Sequence, residues 1–224
     1  MLKKIKKILA ASENRQTFFA RVERRYSRYS KEYKFIERAY DDAKDAFKYK
    51  KRDGGERYFE HVRAVAIILI DYLFIFQLTN LQIPAYKIVA AALLHDVVED
   101  CSEWTLVRIE REYGRDVAWL LDYVSKRPKS DFGGDEVAQL EYYHIRFISA
   151  PFEFFLIKLA DRLHNQLTLW SCDAEKIYRK HTETVKIYLP LARKWGILVH
   201  ELEATTTGFK KRMKKHMKQC SITT

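Results

Sequence analysis

The pattern of apolar and polar positions predicts helices along almost the whole chain. Over residues 18–33 and again over residues 35–47, aromatic and aliphatic side chains recur at spacings of three and four, with lysine and arginine between them. This is the period of one buried helix face, so residues 1–50 are predicted to be helical. The first clear loop is Asp53-Gly54-Gly55, where two glycines interrupt the pattern.

The remainder of the chain continues as apolar helical segments with short breaks. Gly114 is expected to end one of these helices, and Pro190 to kink another, because proline lacks the amide hydrogen of a helical hydrogen bond. No segment alternates apolar and polar residues over the length of a strand. The sequence therefore predicts an all-α fold with no sheet of consequence. The predicted helices cover residues 60–78, 85–98, 103–113, 116–125, 136–149, 151–169 and 173–195.

The amino-acid composition also favours a helical protein. Only 7 glycines and 4 prolines occur in 224 residues, of which 47% are apolar, and this favours helices over a turn-rich β fold or a glycine-rich nucleotide-binding fold. Cys101, Cys172 and Cys220 are far apart and form no CxxC pair, as is typical of a reducing compartment. The longest apolar stretch, residues 62–78, is interrupted by charged side chains, so no membrane span is predicted. These features predict a cytoplasmic protein.

Positive charge is concentrated at the two ends of the chain. The formal net charge is +11, residues 1–38 hold twelve lysines and arginines against four acids, and residues 210–218 add six with no acid. Such ends can attract nucleic acid or other anions, or can simply be solvated helix faces. We predict a basic N-terminal helical extension over residues 1–39, a main domain over residues 40–209, and a basic tail over residues 210–224.

The pair His95-Asp96 is the first candidate for chemistry. It ends an apolar helix, where burying both groups costs free energy unless they find partners. On its own the pair is more typical of an ordinary helix end, because polar residues often mark such ends. Glu99 and Asp100 follow, however, and their carboxylates repel that of Asp96, which a divalent cation would relieve. This context favours a metal site with acid/base groups beside it.

Two further segments carry residues of the same kinds. Asp161, His164, Asn165 and Thr168 follow one another at helical spacings within a leucine-rich segment and so share one face. His61 opens another apolar helix. Taken singly, the first set would be read as a solvated helix face and the histidine as structural. Together with His95-Asp96, they supply imidazoles and carboxylates from separate helices, a ligand set suited to Mn²⁺, Fe²⁺, Mg²⁺ or Zn²⁺.

These motifs and their order resemble a known family. The succession of a histidine, a His-Asp pair and an aspartate resembles the HD superfamily of metal-dependent phosphohydrolases. It is most similar to the hydrolase domain of RelA/SpoT homologues and to the stand-alone small alarmone hydrolases. The likeness extends over roughly residues 40 to 209 and implies an HD-domain helical bundle. Its strongest stretches are RDGGERYFEH at residues 52–61, AALLHDVVED at residues 91–100 and IKLADRLHN at residues 157–165.

The resemblance also implies a role for individual residues. It implies Mn²⁺-dependent removal of the 3′-pyrophosphate from guanosine tetra- or pentaphosphate, the tetraphosphate giving GDP and pyrophosphate. Glu99 and Asp100 match the pair that positions and activates the attacking water. Arg52 matches the arginine that packs on the guanine base. The residues that match metal ligands are His61, His95, Asp96 and Asp161, and those that match other nucleotide contacts are Lys126, Asn165 and Thr168.

Four positions depart from the family pattern without removing a predicted ligand: Phe47, Arg57, Val62 and Leu167. Arg57 could add a phosphate contact. Three functions stay open: an alarmone hydrolase, with or without a role as antitoxin to a small synthetase; the same chemistry on the 3′ end of pyrophosphorylated tRNA; and a non-catalytic antitoxin or binding module. The basic ends favour the second function through phosphate contacts. The intact acidic pair after His95-Asp96 argues against the third.

Overall fold

The chain folds into helices joined by short turns. The computed structural model describes residues 13–125 and 129–220, and in these ranges no β-strand forms; Lys51 and Arg57 make an isolated antiparallel bridge. The predicted all-α fold is thus confirmed. The helices are α1 (Arg15–Val22), α2 (Lys31–Ala46), α3 (Tyr58–Asp71), α4 (Ala85–Leu93), α5 (Val97–Asp100), α6 (Leu106–Tyr113), α7 (Arg115–Val124), α8 (Glu136–Ser149), α9 (Phe152–Leu167), α10 (Ala174–Glu183), α11 (Leu189–Trp195), α12 (Val199–Thr206) and α13 (Phe209–Cys220).

The helix predicted over residues 1–50 is interrupted by turns at residues 23–30. Two polar side chains mark the helix starts on either side. Asn14 Oδ1 accepts a hydrogen bond from the amide of Thr17 at the start of α1, and Ser30 Oγ accepts one from the amide of Tyr33 at the start of α2. Such caps stabilise a new helix start. The predicted helical residues 1–12 and the last tail residues, 221–224, lie outside the described residues.

The centre of the bundle is formed by α3, α4 and α9. Both α3 and α4 are buried on nearly every face, as expected of helices that are apolar all round. Helix α4 packs against α2, α3 and α7, while α9 packs against α3, α7 and α12. Polar residues at the end of α4 and on the inner faces of α3 and α9 therefore lie inside the bundle. None of the helices described is long and apolar enough to cross a membrane.

Helix α1 contributes to the same core. Phe18 is completely buried, and its ring centroid lies 5.0 Å from that of Tyr40 in α2. Arg21 of α1 donates a hydrogen bond of 2.7 Å to Asp71 at the end of α3. These contacts attach the first described helix to the central ones. The division of the chain at residues 39 and 209 stays a prediction.

Two predicted helices end before their apolar pattern does. The helix predicted over residues 60–78 ends at Asp71, and the one predicted over residues 85–98 ends at Leu93. In the second case the imidazole Nδ1 of His95 donates to the carbonyl of Ala92 at 2.8 Å, one of the carbonyls that a helix end leaves without an amide partner. The break places His95 and Asp96 between α4 and α5.

The kink predicted near Pro190 is a widened turn. Helix α10 continues into a π turn, Thr184–Tyr188, and then into α11, with Pro190 at its second position. Proline cannot donate to the carbonyl four residues earlier, and a π turn accommodates the missing bond without ending the helical path. The end predicted at Gly114 is confirmed, since this glycine closes α6 with a φ of 82°.

Candidate metal centre

Four side chains from α3, the α4–α5 turn and α9 meet inside the bundle. His61 Nε2 lies 3.6 Å from Asp96 Oδ2 and 3.2 Å from Asp161 Oδ1. His95 Nε2 lies 3.1 Å from Asp96 Oδ2 and 3.8 Å from Asp161 Oδ1. Both imidazoles are buried, and the two carboxylates keep a small exposed fraction. Residues predicted from three separate segments to form one site therefore face one another.

The nitrogen and oxygen atoms at this centre fit a divalent cation. Because a carbonyl only accepts, the contact with Ala92 places a proton of His95 on Nδ1, so the lone pair of the neutral ring lies on Nε2. Beyond the facing carboxylates, this buried Nε2 has no hydrogen-bond partner in the part of the chain that the structure describes, although buried polar atoms are as a rule satisfied. One ligand atom each from His61, His95 and Asp96 lies within 4.8 Å of the others. A cation among them would satisfy the lone pair.

The two carboxylates control the charge of the centre. Burial lowers the pKa of His95, but the facing carboxylates of Asp96 and Asp161 outweigh burial and raise this pKa to about 9. Burial raises the pKa of Asp161, but the hydrogen bond with His61 and the charge on His95 hold it well below its usual range. The centre therefore attracts positive charge, and a metal ion and the proton on His95 compete for it.

Each carboxylate is also held by a neutral donor. The Tyr58 hydroxyl donates to Asp96 Oδ2 at 2.7 Å, and Asn165 Nδ2 donates to Asp161 Oδ1 at 2.6 Å. Such donors orient ligating carboxylates. Burial, followed by the charge of Asp96, raises the pKa of the Tyr58 hydroxyl, so it stays a donor. Tyr58 was not among the residues predicted from the sequence; the available signal was its place three residues before His61, on the same helix face.

A third imidazole adjoins the centre. His164 Nδ1 lies 2.8 Å from His61 Nδ1 and 3.0 Å from Arg52 Nη1, and the other arm of the guanidinium donates to Asn165 Oδ1 at 2.7 Å. Burial, then the neighbouring His61 and Arg52, hold the pKa of His164 well below its ordinary value. His164 was placed on the polar stripe of its helix by sequence, but not among the site residues.

The acidic pair lies on α5 beside the centre. Asp100 Oδ1 lies 2.5 Å from Lys50 Nζ, and this ammonium lies 4.7 Å from the centroid of the Tyr58 ring. Glu99 is exposed on the same short helix. Because the helix predicted over residues 85–98 breaks at residues 94–96, Glu99 and His95 do not lie on one continuous helix.

The residues predicted to contact the nucleotide do not all lie together. A cavity of about 660 Å³ opens beside His61 and is bordered by Thr168 and Trp170. Arg57 also borders it, with its guanidinium bonded to Glu60. Arg52 and Asn165 lie beside the metal centre, bonded to each other as described above, and Lys126 lies outside the described residues. The substrate-binding roles of these residues stay predictions.

The central helices of the bundle bring two imidazoles and two carboxylates together. The protein is therefore an all-α protein with a candidate metal centre. Residues 39–198 match the family described as HD domain, and the chain belongs to that family. The resemblance found in the sequence is confirmed.

Several named proteins are similar to the chain. It is 38% identical over 178 residues to the bifunctional (p)ppGpp synthase/hydrolase SpoT of Escherichia coli (strain K12), covering 79% of this chain and 24% of the relative. It is 39% identical over 165 residues to a guanosine-3′,5′-bis(diphosphate) 3′-pyrophosphohydrolase of Haemophilus influenzae, covering 72% and 23%. The chain thus spans about a quarter of the length of these relatives.

One solved structure supports the fold. It is described as a metazoan ortholog of SpoT that hydrolyzes ppGpp and plays a role in starvation responses. The match has a TM-score of 0.53 at 22% sequence identity and covers 83% of this chain and 94% of the other. At this identity the likeness supports the helical architecture alone.

Proposed function

We propose that the protein is a metal-dependent hydrolase that removes the 3′-pyrophosphate from guanosine tetra- or pentaphosphate. The observation that carries the proposal is the convergence of four ligand atoms inside the bundle, where the buried Nε2 of His95 faces the carboxylates of Asp96 and Asp161. The names of the similar proteins, which are pyrophosphohydrolases of guanosine-3′,5′-bis(diphosphate), support this substrate. Because the chain matches only a quarter of their length, the activity is carried over as a proposal.

The proposed ligands of the ion are His61, His95, Asp96 and Asp161. With two imidazoles, two carboxylates and no thiolate, the set suits Mn²⁺, which is the ion we propose. A bound divalent ion polarises a phosphoryl oxygen and lowers the pKa of water. The hydroxyl of Tyr58 keeps its neighbouring carboxylate turned toward the centre.

The remaining predicted residues are proposed to position the attacking water and to contact the nucleotide. Glu99 and Asp100 are proposed to hold the attacking water, with Asp100 steadied by the ammonium of Lys50. Arg52 is proposed to contact the guanine base. Positive groups near the pyrophosphate would neutralise charge on the leaving group. Further nucleotide contacts are assigned to Lys126, Asn165 and Thr168.

Incubation with Mn²⁺ and guanosine tetraphosphate, with nucleotides separated by ion-exchange chromatography, tests the proposal. GDP and pyrophosphate are expected in equal amounts. Asp100→Asn should keep Mn²⁺ affinity but lose turnover, because the amide cannot take a proton from water. Asp45→Asn is the matched control, since Asp45 is 76% exposed and pairs only at the surface with Lys48. Wild-type protein that binds Mn²⁺ yet releases no pyrophosphate would contradict the proposal.

A specific observation favours tRNA as a second candidate substrate. Helix α13 carries six lysines and arginines and no acid, and Phe209 and His216 of this helix pack on the ring of Trp170. Trp170 also borders the cavity beside His61. Basic side chains therefore lie close to the opening of that cavity, where they could contact the phosphates of a longer substrate.

Reversal of charge on α13 separates the two substrates. The double variant Lys211→Glu, Lys215→Glu changes two exposed side chains on one helix face. Activity on pyrophosphorylated tRNA should fall and become less sensitive to salt, while activity on guanosine tetraphosphate should not change. Equal activity on tRNA would argue against this candidate. Deletion of residues 1–35 is a poor test, because it removes buried Phe18 from the core.

We extend the proposal to a role as antitoxin to a small alarmone synthetase in the cytoplasm. Co-expression with such a synthetase should restore growth with the wild-type chain but not with Asp100→Asn. Restoration by both proteins would instead support a non-catalytic antitoxin of the same fold.

A further inference from the structure

Two buried imidazole rings face each other through the same kind of nitrogen. His61 Nδ1 and His164 Nδ1 lie 2.8 Å apart. A hydrogen bond between two ring nitrogens requires one that carries a proton and one that offers a lone pair. The separation alone does not determine which ring is the donor.

Arg52 determines which of the two rings is the donor. Its Nη1 lies 3.0 Å from the same Nδ1 of His164, and a guanidinium donates but never accepts. A proton on Nδ1 of His164 would point an N–H group at this fixed positive charge. Nδ1 of His164 is therefore the acceptor in both contacts, with its one lone pair shared between the two donors, and the proton of its neutral ring lies on Nε2. His61 must then donate from Nδ1.

The position of Arg52 is itself fixed. Its side chain is only 14% exposed, and Nη2 donates to Asn165 Oδ1 at 2.7 Å. The amide of Asn165 cannot be turned over without loss, because its Nδ2 donates to Asp161 Oδ1 at 2.6 Å. The donor and acceptor assignments along this series of contacts agree with one another and end at a carboxylate of the metal centre.

The consequence for His61 is a defined tautomer. In the neutral ring that a metal ion requires, this proton stays on Nδ1, and the lone pair of Nε2 takes the place of the N–H group that faces Asp161 in the metal-free protein. His95 reaches the same state through the Ala92 carbonyl. One imidazole is thus oriented by the backbone, and the other by a side chain that a substitution can remove.

We propose that His164, with Arg52 behind it, is a positioning residue that fixes the tautomer and ring orientation of His61 for a metal ion. The inference rests on the proposed metal-dependent function for the identity of the ligand, but not on any substrate. Loss of such a hydrogen-bond partner of a ligating histidine typically weakens metal binding about 10- to 100-fold.

Two substitutions at one position separate the hydrogen bond from packing. His164→Phe keeps a buried ring but removes the acceptor, whereas the Oδ1 of His164→Asn lies near the position of Nδ1 and can accept. Calorimetric titration of the full chain with Mn²⁺ should show about 10- to 100-fold weaker binding for the phenylalanine variant and near-complete recovery for the asparagine variant. His200→Asn, which removes an exposed imidazole, should leave the affinity unchanged.

Two results would overturn the inference. One is wild-type Mn²⁺ affinity in the phenylalanine variant. The other is an equal loss in the phenylalanine and asparagine variants with both metal-free proteins folded, which would indicate a packing role for His164. Wild-type protein that binds Mn²⁺ but does not hydrolyse guanosine tetraphosphate contradicts the proposed function alone, because the affinity comparison stays valid.

Nuclear magnetic resonance provides a readout that packing would not change. In the Zn²⁺-loaded protein with ¹⁵N-labelled histidine, Nδ1 of His61 should carry a proton and show scalar coupling across the hydrogen bond to an unprotonated Nδ1 of His164. The coupling should vanish in His164→Phe. A proton on Nδ1 of His164 in the wild-type protein would contradict the assignment directly.

Discussion

The hydroxyl of Tyr58 offers the sharpest test of how the centre is built. In Tyr58→Phe the hydrogen bond of 2.7 Å to Asp96 is lost, while the ring contacts with Phe47 and with the ammonium of Lys50 are retained. A hydrogen bond to a charged group contributes about 1.5–3 kcal/mol. The metal-loaded protein should therefore lose about this much free energy relative to the unfolded chain.

The loss divides between two measurable quantities. Part appears as a lower free energy of unfolding of the metal-free protein, because Tyr58 holds Asp96 there too, and part as weaker Mn²⁺ binding, where each tenfold change corresponds to about 1.4 kcal/mol. Urea unfolding in chelator and calorimetric titration together should account for about 1.5–3 kcal/mol.

Tyr49→Phe is the control, because Tyr49 is 89% exposed, and both quantities should stay at their wild-type values. If the two losses in Tyr58→Phe together amount to less than about 0.5 kcal/mol, the hydroxyl does not hold the carboxylate and the reasoning is refuted.

Four further outcomes are expected, three at the centre and one in the core. Asp161→Ala should abolish Mn²⁺ binding and turnover, because it removes a carboxylate that faces both imidazoles; calorimetric binding at wild-type affinity would contradict this. Mn²⁺ should displace about one proton per chain near neutral pH, since the pKa of His95 is raised to about 9 without metal. Calorimetric titration with Mn²⁺ in buffers of different ionisation enthalpy measures the number of protons released. No net proton release would contradict the prediction. The same raised pKa stabilises the metal-free protein fully below the ordinary value of 6.5, and this contribution should be lost as pH rises through about 9, as urea unfolding at several pH values would show. Phe18→Ala should lower the free energy of unfolding by about 3–5 kcal/mol, because the ring is completely buried; a loss below about 1 kcal/mol would mean that α1 is separable from the core.

The helical fold could be predicted from periodicity because nearly every element buries an apolar face. Helix α8 begins and ends where the pattern places it, at Glu136–Ser149. Breaks inside apolar stretches could not be predicted in this way, because Leu94 continues the apolar run although the helix has ended. The end of α4 depends on the hydrogen bond from His95 to a carbonyl, which hydrophobicity does not encode.

The four proposed ligands could be predicted because buried imidazoles and carboxylates are costly without a common partner. Tyr58 and His164 were not predicted as site residues, because the sequence around each is typical of an ordinary helix. A tyrosine at the start of an apolar helix is usually a core side chain. The role of His164 depends on His61 and Arg52, which lie 103 and 112 residues away in sequence and meet it only in the folded protein.

Anomalous X-ray diffraction from crystals grown with Mn²⁺ is the most direct test of the central claim, that one divalent ion is bound between α3, the α4–α5 turn and α9. We predict one strong peak at roughly 2.0–2.3 Å from His61 Nε2, His95 Nε2 and an oxygen of each of Asp96 and Asp161, and its absence from crystals of Asp161→Ala. If the wild-type protein shows no peak between these four side chains, or binds the ion elsewhere instead, the account is contradicted.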